Sequence, residues 1–359
     1  MFILPKLKYA PLVTHFRQIS QSQSVRSSSS TNRPLLRFGV ITDTHYADRD
    51  DRPAWYDSQR RRFYRFSLEQ IERAFKHWTL KGDQLVLHLG DIIDGANLKM
   101  KRSDEAFERV ISLFEFKYRL PAFYVIGNHE LYNFRRSQIP NLYHERIAKN
   151  ANHFHSFSCS NEEQQLYYSL SPKPGIKLII IDCYDISGLG YDKSSLKYKK
   201  ASKVLFEKHR DVDIDVWDSD GTLHGLNRRF QLQNGAMDSI QLQWLNHELE
   251  KADENDEKVI VFGHVGIHPQ SVDSSCLLWN YEQILAMFAE HSSVKLYLCG
   301  HSHRTGYACD ENGVHYVSLN GVIETQPEME AFVSVSLYEN EIIIEGLGSE
   351  KSRVLLIRT

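Results

Sequence analysis

The chain has 359 residues, 42% hydrophobic, 25% charged and 11% aromatic, with a formal net charge of -3. That apolar content can bury a large core, while the near-neutral balance excludes bulk binding to nucleic acid or to an anionic membrane surface. No apolar run approaches the roughly 20 residues that span a bilayer, and five scattered cysteines without a CxxC pair exclude a disulfide framework and a zinc-thiolate knot, so a reducing compartment fits.

Residues 1–33 stand apart. They carry Lys6, Lys8, Arg17, Arg26 and Arg33 and a serine cluster from Ser20 to Ser30, and the first carboxylate is Asp43. This is the composition of an organelle transit peptide or of a disordered tail. The expected location is the cytoplasm, or a mitochondrion or plastid if the leader directs import.

After Pro34 the pattern predicts a strand over 35–42, a long helix over 58–80, a strand over 84–90, a helix over 103–118 and a strand over 121–126. The long helix would present Phe66, Ile71, Phe75 and Trp78, with Arg60, Arg61, Arg62 and Arg65 at its start. Residues 131–165 are polar and aromatic without a period. Two strands follow, over 166–170 and 176–183, and then an irregular insertion over about 185–235, with one helix near 195–208. A stretch that long without regular structure is expected to wall a substrate pocket. Asp238 reads as the N-cap of a helix with Ile240, Trp244, Leu245 and Leu249 on its apolar face and Gln241 completing a capping box. A strand (258–263), a helix (280–290) and a strand (294–299) come next, and the tail from Gly306 to Ile357 reads as a β meander forming a second sheet. Strands alternating with helices predict an α/β fold with a mostly parallel sheet.

Five of the strands end on potential metal ligands. The run 38–42 meets Asp43 and His45; 85–89 leads through Gly90 to Asp91; 123–126 leads through Gly127 to Asn128 and His129. The run 259–262 leads through Gly263 to His264, and 296–299 through Gly300 to His301 and His303. Buried strands that stop at a glycine and a polar residue gather those residues on one sheet edge, where open α/β folds place their sites. Hard oxygen donors mixed with imidazoles, and no thiolate, suit manganese, iron or zinc. The Asp-x-His and His-x-His spacings require a bend after the strand, which the preceding glycines permit.

In this arrangement Asp43-x-His45, Gly90-Asp91-x-x-Asp94, Gly127-Asn128-His129-Glu130, Gly263-His264 and Gly300-His301-x-His303 resemble the five signatures of the calcineurin-like metallophosphoesterases. The resemblance implies a four-layer α/β (α+β) fold over residues 34–359, two packed mixed β-sheets flanked by helices. It also implies two divalent metal ions, manganese for activity, with zinc, iron or magnesium as alternatives. Asp43, His45, Asp91 and His303 would hold one ion, and Asp91, Asn128, His264 and His301 the other. His129 would face the leaving group and Asp94 would orient it. Two such ions against two carboxylates leave a positive centre that attracts a phosphate ester or a diphosphate.

Flanking residues are similar to the manganese-dependent ADP-ribose/CDP-alcohol diphosphatases, notably Arg60 to Arg65, Gly90 to Asn97, Gly127 to Phe134, Asp182 to Asp185, Asn234 to Ala236, Trp279 to Tyr281 and Gly321 to Thr325. Some members of that family carry Gln where this chain has His45. The resemblance implies hydrolysis of the diphosphate bond of ADP-ribose, CDP-choline and related nucleotides; a monomer that engages neither nucleic acid nor membrane is expected. Tyr46, Leu189 and Cys276 are expected on the nucleoside side of the cleft, and the Arg60 to Arg65 cluster either caps a phosphate or faces solvent. A phosphoprotein phosphatase or a cyclic-nucleotide phosphodiesterase would use the same core, whereas a non-catalytic scaffold would be expected to have lost ligands.

Overall fold

A computed structural model describes residues 33–160, 164–209 and 223–358. The leader expectation therefore lies outside the described residues, as does 210–222 of the insertion. Pro34–Thr359 is one compact unit.

Its first sheet is built around β1 (Leu36–Ile41), which pairs in parallel with β4 (Leu85–His88), itself parallel to β5 (Ala122–Tyr124). On the other side of β1, β13 (Ala331–Leu337), β14 (Glu341–Gly348) and β15 (Arg353–Leu356) continue the sheet antiparallel. The second sheet has parallel β8 (Ile176–Ile180), β9 (Lys258–Phe262), β10 (Val294–Cys299) and β12 (His315–Ser318) at its centre. Antiparallel β11 (Gly306–Cys309) closes one edge, and β7 (Tyr168–Lys173) and β6 (Ser156–Cys159) close the other. The apolar faces form one core between the sheets, with Phe38 of β1 edge-on to Phe262 of β9 at 5.8 Å.

The tail expected to form a separate second sheet is instead divided between both: β11 and β12 join β10, while β13 to β15 join β1. The sequence period of two marks strands, but only packing selects which sheet each extends.

The first helix, α1, spans Ser67–Lys81, so it starts nine residues later than expected. Arg61–Arg62 form β3, paired antiparallel with β2 (Arg52–Pro53), so these arginines belong to a hairpin rather than to a helix start. Ile71, Ala74, Phe75 and Trp78 pack inward, and Gly82 at φ 73° ends the helix by turning its N–H onto Thr79 and Trp78 carbonyls. Short α2 (Ala96–Met100) precedes α3 (Ser103–Ser112), which continues as one widened turn over Leu113–Lys117.

The supposedly aperiodic stretch from 131 opens on the end of α4 (Asn128–Asn133) and contains α5 (Ile139–Ala151). Ile139, Tyr143, Ile147 and Ala151 are buried at intervals of four, a stripe thin enough to be lost among charged neighbours. Farther on, α6 (Leu196–His209) and α7 (Ser239–Glu254) are linked through Asp238, which caps α7 on the Ser239 N–H and pairs with Lys197 and Lys200. The capping box does not form: Gln241 instead bonds the Asp182 backbone at 2.8 and 3.0 Å, and Ile240 is exposed. Tyr281–Glu290 is α8. Among the described residues, no helix is long and apolar enough to cross a membrane.

One buried carboxyl outside the site predicts a pH effect. Glu350 accepts the Asn320 N–H at 2.6 Å through Oε1, Oε2 has no partner, and burial raises its pKa to about 8. Between the ordinary carboxylate value and about 8, the folded state holds a proton that the unfolded chain has released. The group therefore lowers stability as pH rises through that window, by several kcal/mol at order of magnitude. Urea denaturation from pH 5 to 9 should show Glu350→Gln gaining stability relative to the parent as pH rises; a constant difference would contradict this.

Candidate metal centre and active site

The C-terminal ends of β1, β4 and β5 in one sheet meet those of β9 and β10 in the other, and the residues just beyond them turn into the junction. The turn is made largely by the ligand candidates themselves. Asp43, His45, Asp91, His301 and His303 have φ of 52°, 42°, 56°, 64° and 51°, a region that side-chain-bearing residues avoid. Of the glycines expected to permit these bends, only Gly90 has a positive φ (98°). Gly127 has a different use, since a Cβ there would overlap the Asp91 carboxylate.

Asp43, His45, Asp91 and His303 bring one ligand atom each to within 4.8 Å of one another, and Asp91, His264 and His301 do the same. Asp43 Oδ1 is 3.2 Å from His303 Nε2 and 3.6 Å from His45 Nε2. Asp91 Oδ2 lies between the two groups, 3.3 Å from both His45 Nε2 and His264 Nε2. Asn128 Oδ1 stands 3.2 Å from His264 Nε2 and accepts from the Tyr184 hydroxyl. His301 Nε2 faces Asn234 Oδ1 at 2.8 Å.

Outer contacts aim these rings. His264 Nδ1 lies 2.7 Å from the Leu89 carbonyl, to which it can only donate, so in the neutral ring the Nε2 lone pair faces Asp91. His303 Nδ1 meets Glu324 Oε1 at 3.0 Å, with the same consequence for its Nε2. Glu130 accepts the N–H groups of Asp91, Ile92 and Gly127 at 2.7 to 2.8 Å, which fixes the Asp91 loop against the start of α4. The spacing of Glu130 from Gly127 carried that signal; Glu324 and Asn234 had none beyond the family likeness.

The electrostatics suit cations. Burial by itself would raise the carboxyls, yet neighbouring imidazoles hold Asp43 and Asp91 far below the usual range. Burial likewise opposes charge on His45 and His264, but Asp91 and Asp43 raise them to about 10 and 9. Burial carries His301 down to about 3. Asp43 Oδ1 is buried with no hydrogen-bond partner. An orphaned carboxylate oxygen among converging imidazole nitrogens is the donor set of a divalent cation, so the residues fit the two ions that the family implies.

His129 sits beside this centre. Its Nδ1 accepts the Gly95 N–H at 2.8 Å, which leaves Nε2 to carry the proton of the neutral ring. Asp94 Oδ2 is 3.5 Å from His129 Nδ1, the same distance as from His45 Nδ1, so the backbone N–H makes the closer contact to the ring.

A cavity of about 1830 Å³ opens over the centre, lined by Asp91, Asn128, His129, His301 and His303. Its walls include Arg49, Arg52, Trp55, Tyr56 and Arg62, and from the insertion His209, Leu223, Arg228, Gln231 and Gln233. Cys276 lines it as well. Tyr46 and Leu189 do not: both are buried in the main core, Tyr46 bridged to Ile93 and covered by the Arg109 guanidinium. The left-handed backbone at His45, φ 42°, turns the chain there and Tyr46 bridges Ile93 in the core, so adjacency to His45 did not place Tyr46 in the cleft.

Residues 36–305 match the model of the calcineurin-like phosphoesterase family. Over 334 residues the chain is 37% identical to the manganese-dependent ADP-ribose/CDP-alcohol diphosphatase of Bos taurus, covering 92% of this chain and 96% of that protein. The protein of the same name from Arabidopsis thaliana is 33% identical, covering 90% and 98%. A crystal structure of a dimetal phosphatase from Danio rerio superposes with a TM-score of 0.81 at 32% identity, covering 90% of this chain and 100% of that one. With its five strand-end motifs in one junction and these relatives along nearly its whole length, the chain belongs to the calcineurin-like phosphoesterase family.

Proposed function

We propose that this protein is a manganese-dependent hydrolase that cleaves the diphosphate bond of ADP-ribose and of CDP-alcohols, releasing a nucleoside monophosphate and a phosphorylated alcohol or ribose 5-phosphate. The observation that carries the reading is the buried Asp/His centre opening into a cavity of about 1830 Å³ whose wall combines arginines with aromatic rings. Arg49 and Arg52 suit the negative charge of a diphosphate, and Trp55, 80% exposed, offers a face on which a base can stack. The names of relatives that share a third of the sequence support the substrate class and the metal.

Asp43, His45, Asp91 and His303 would hold one ion, and Asp91, Asn128, His264 and His301 the other. When bound, the pair supplies Lewis-acid stabilisation of the phosphoryl oxygens and lowers the pKa of the attacking water. The chain's own residues do the rest. Gly95 fixes the tautomer in which His129 Nε2 donates to the departing oxygen. That oxygen belongs to a phosphate monoester, whose second pKa is about 6, so hydrogen-bond donation is sufficient and complete protonation is not required. The net charge of -3 favours small nucleotides over nucleic acid, and we read the active unit as a monomer.

Purified protein with Mn2+ should turn over CDP-choline and ADP-ribose in preference to cyclic AMP and a phosphopeptide. Turnover confined to the last two would replace this reading with that of a phosphodiesterase or protein phosphatase on the same core.

A further inference from the structure

Glu324 lies 21 residues beyond His303, in the turn Val322–Glu324 that precedes β13. The turn is tied by backbone to the first ligand loop: Ile323 donates to the Asp43 carbonyl at 3.0 Å and Val322 to Thr42 at 3.3 Å. The Glu324 side chain is fully covered, and donors converge on it from two directions. From the metal centre comes His303 Nδ1 at 3.0 Å. From the β2–β3 hairpin come Arg60 Nε at 2.8 Å, Arg62 Nε at 3.3 Å and the Tyr56 hydroxyl at 2.5 and 2.6 Å.

Arg62 continues the chain of contacts. Its Nη1 reaches Asp94 Oδ2 at 3.5 Å, and that oxygen is buried without a hydrogen-bond partner, 3.5 Å from His45 Nδ1. One guanidinium therefore joins two carboxylates, each standing behind the Nδ1 of a histidine. The Nε2 atoms of those histidines converge at 3.1 Å beside Asp43. A planar, permanently charged fork can hold two carboxylates at a set spacing, which a flexible ammonium cannot.

We propose that Glu324 and Arg62 are positioning residues: with Asp94 they form a carboxylate–guanidinium–carboxylate frame that presents His45 and His303 together to one of the two metal ions. The inference rests on the two-ion reading of the site, while the identity of the diphosphate does not enter it. His264 and His301 lie outside the frame, oriented by the Leu89 carbonyl and by Asn234. Loss of the frame thus strikes one ion selectively. Outer partners of metal-bound histidines are worth about 10- to 100-fold in metal affinity.

The test is a Mn2+ titration without substrate, followed by calorimetry, on the full chain and on Glu324→Gln, with thermal denaturation in parallel. Glu324→Gln keeps the size of the side chain and one acceptor but removes the charge that the arginines face. The expected result is two binding steps in the parent, with one of them weakened about 10- to 100-fold in the variant and the other little changed. Raising Mn2+ should then restore turnover. Arg62→Lys keeps the charge but not the fork, and should weaken the same step even if Glu324→Gln does not fold. Two steps of parental affinity in either folded variant, with only a lower melting temperature, would reduce these residues to structural supports and overturn the inference alone. A parent that takes up no Mn2+ would overturn it together with the metal reading.

Discussion

Asp91→Asn should abolish turnover and leave fewer than two Mn2+ per chain. Asp91 Oδ2 is equidistant, at 3.3 Å, from His45 and His264, so its loss takes a ligand from both ions, whereas loss of His303 takes one from one ion. Each ion supplies several kcal/mol of transition-state stabilisation, and 1.36 kcal/mol is tenfold in rate, so the expected fall in kcat is at least about 10³-fold. Asparagine is the informative replacement because it tolerates the left-handed backbone that position 91 adopts, at φ 56°. The folded protein then differs mainly in charge. Metal content by mass spectrometry and kcat with excess Mn2+ decide the matter; parental stoichiometry and rate would remove Asp91 from its place between the ions.

His129→Ala should separate chemistry from metal binding. The ring meets His45 at Nδ1, 3.2 Å away, whereas His45 faces Asp43 and Asp91 through Nε2, so both Mn2+ equivalents should remain. Removing a positioned proton donor costs about 10²- to 10⁴-fold in kcat. The low end is expected for a diphosphate, whose departing phosphate needs little help, and the high end for an ester with an alkoxide leaving group. Unchanged kcat on both substrate types would exclude His129 from the reaction. The backbone N–H of His129 also donates to Asp91 Oδ1 at 2.7 Å, and alanine preserves that contact, so the comparison isolates the ring.

Much of the site was legible because each motif is short. A buried strand, a bend and a ligand occupy about six residues, as in the run from Phe38 to Asp43, and that local unit reads without knowledge of the partner strands. The source of the bend was not legible. Glycines before the ligands suggested flexible hinges, yet the ligands carry the left-handed backbone while Gly127 makes room for Asp91. Elements decided by distant contacts were misread in the same way. Arg60 to Arg65 looked like the start of a helix because their tertiary partners, Glu324 and Asp94 for Arg62 and Asp48 and Asp50 for Arg65, lie elsewhere in the chain.

The order and chemical type of the seven ligand candidates, the strands that deliver them and the family to which they point were properties of the sequence, since each is written within a few consecutive residues. Tertiary structure alone decided that the edges of two separate sheets share one junction, that the tail strands divide between those sheets, and that Glu324 reaches His303 and Arg62. These outcomes depend on which apolar faces pack together. Such packing sums many weak contacts between residues far apart in the chain, and no local pattern records the sum.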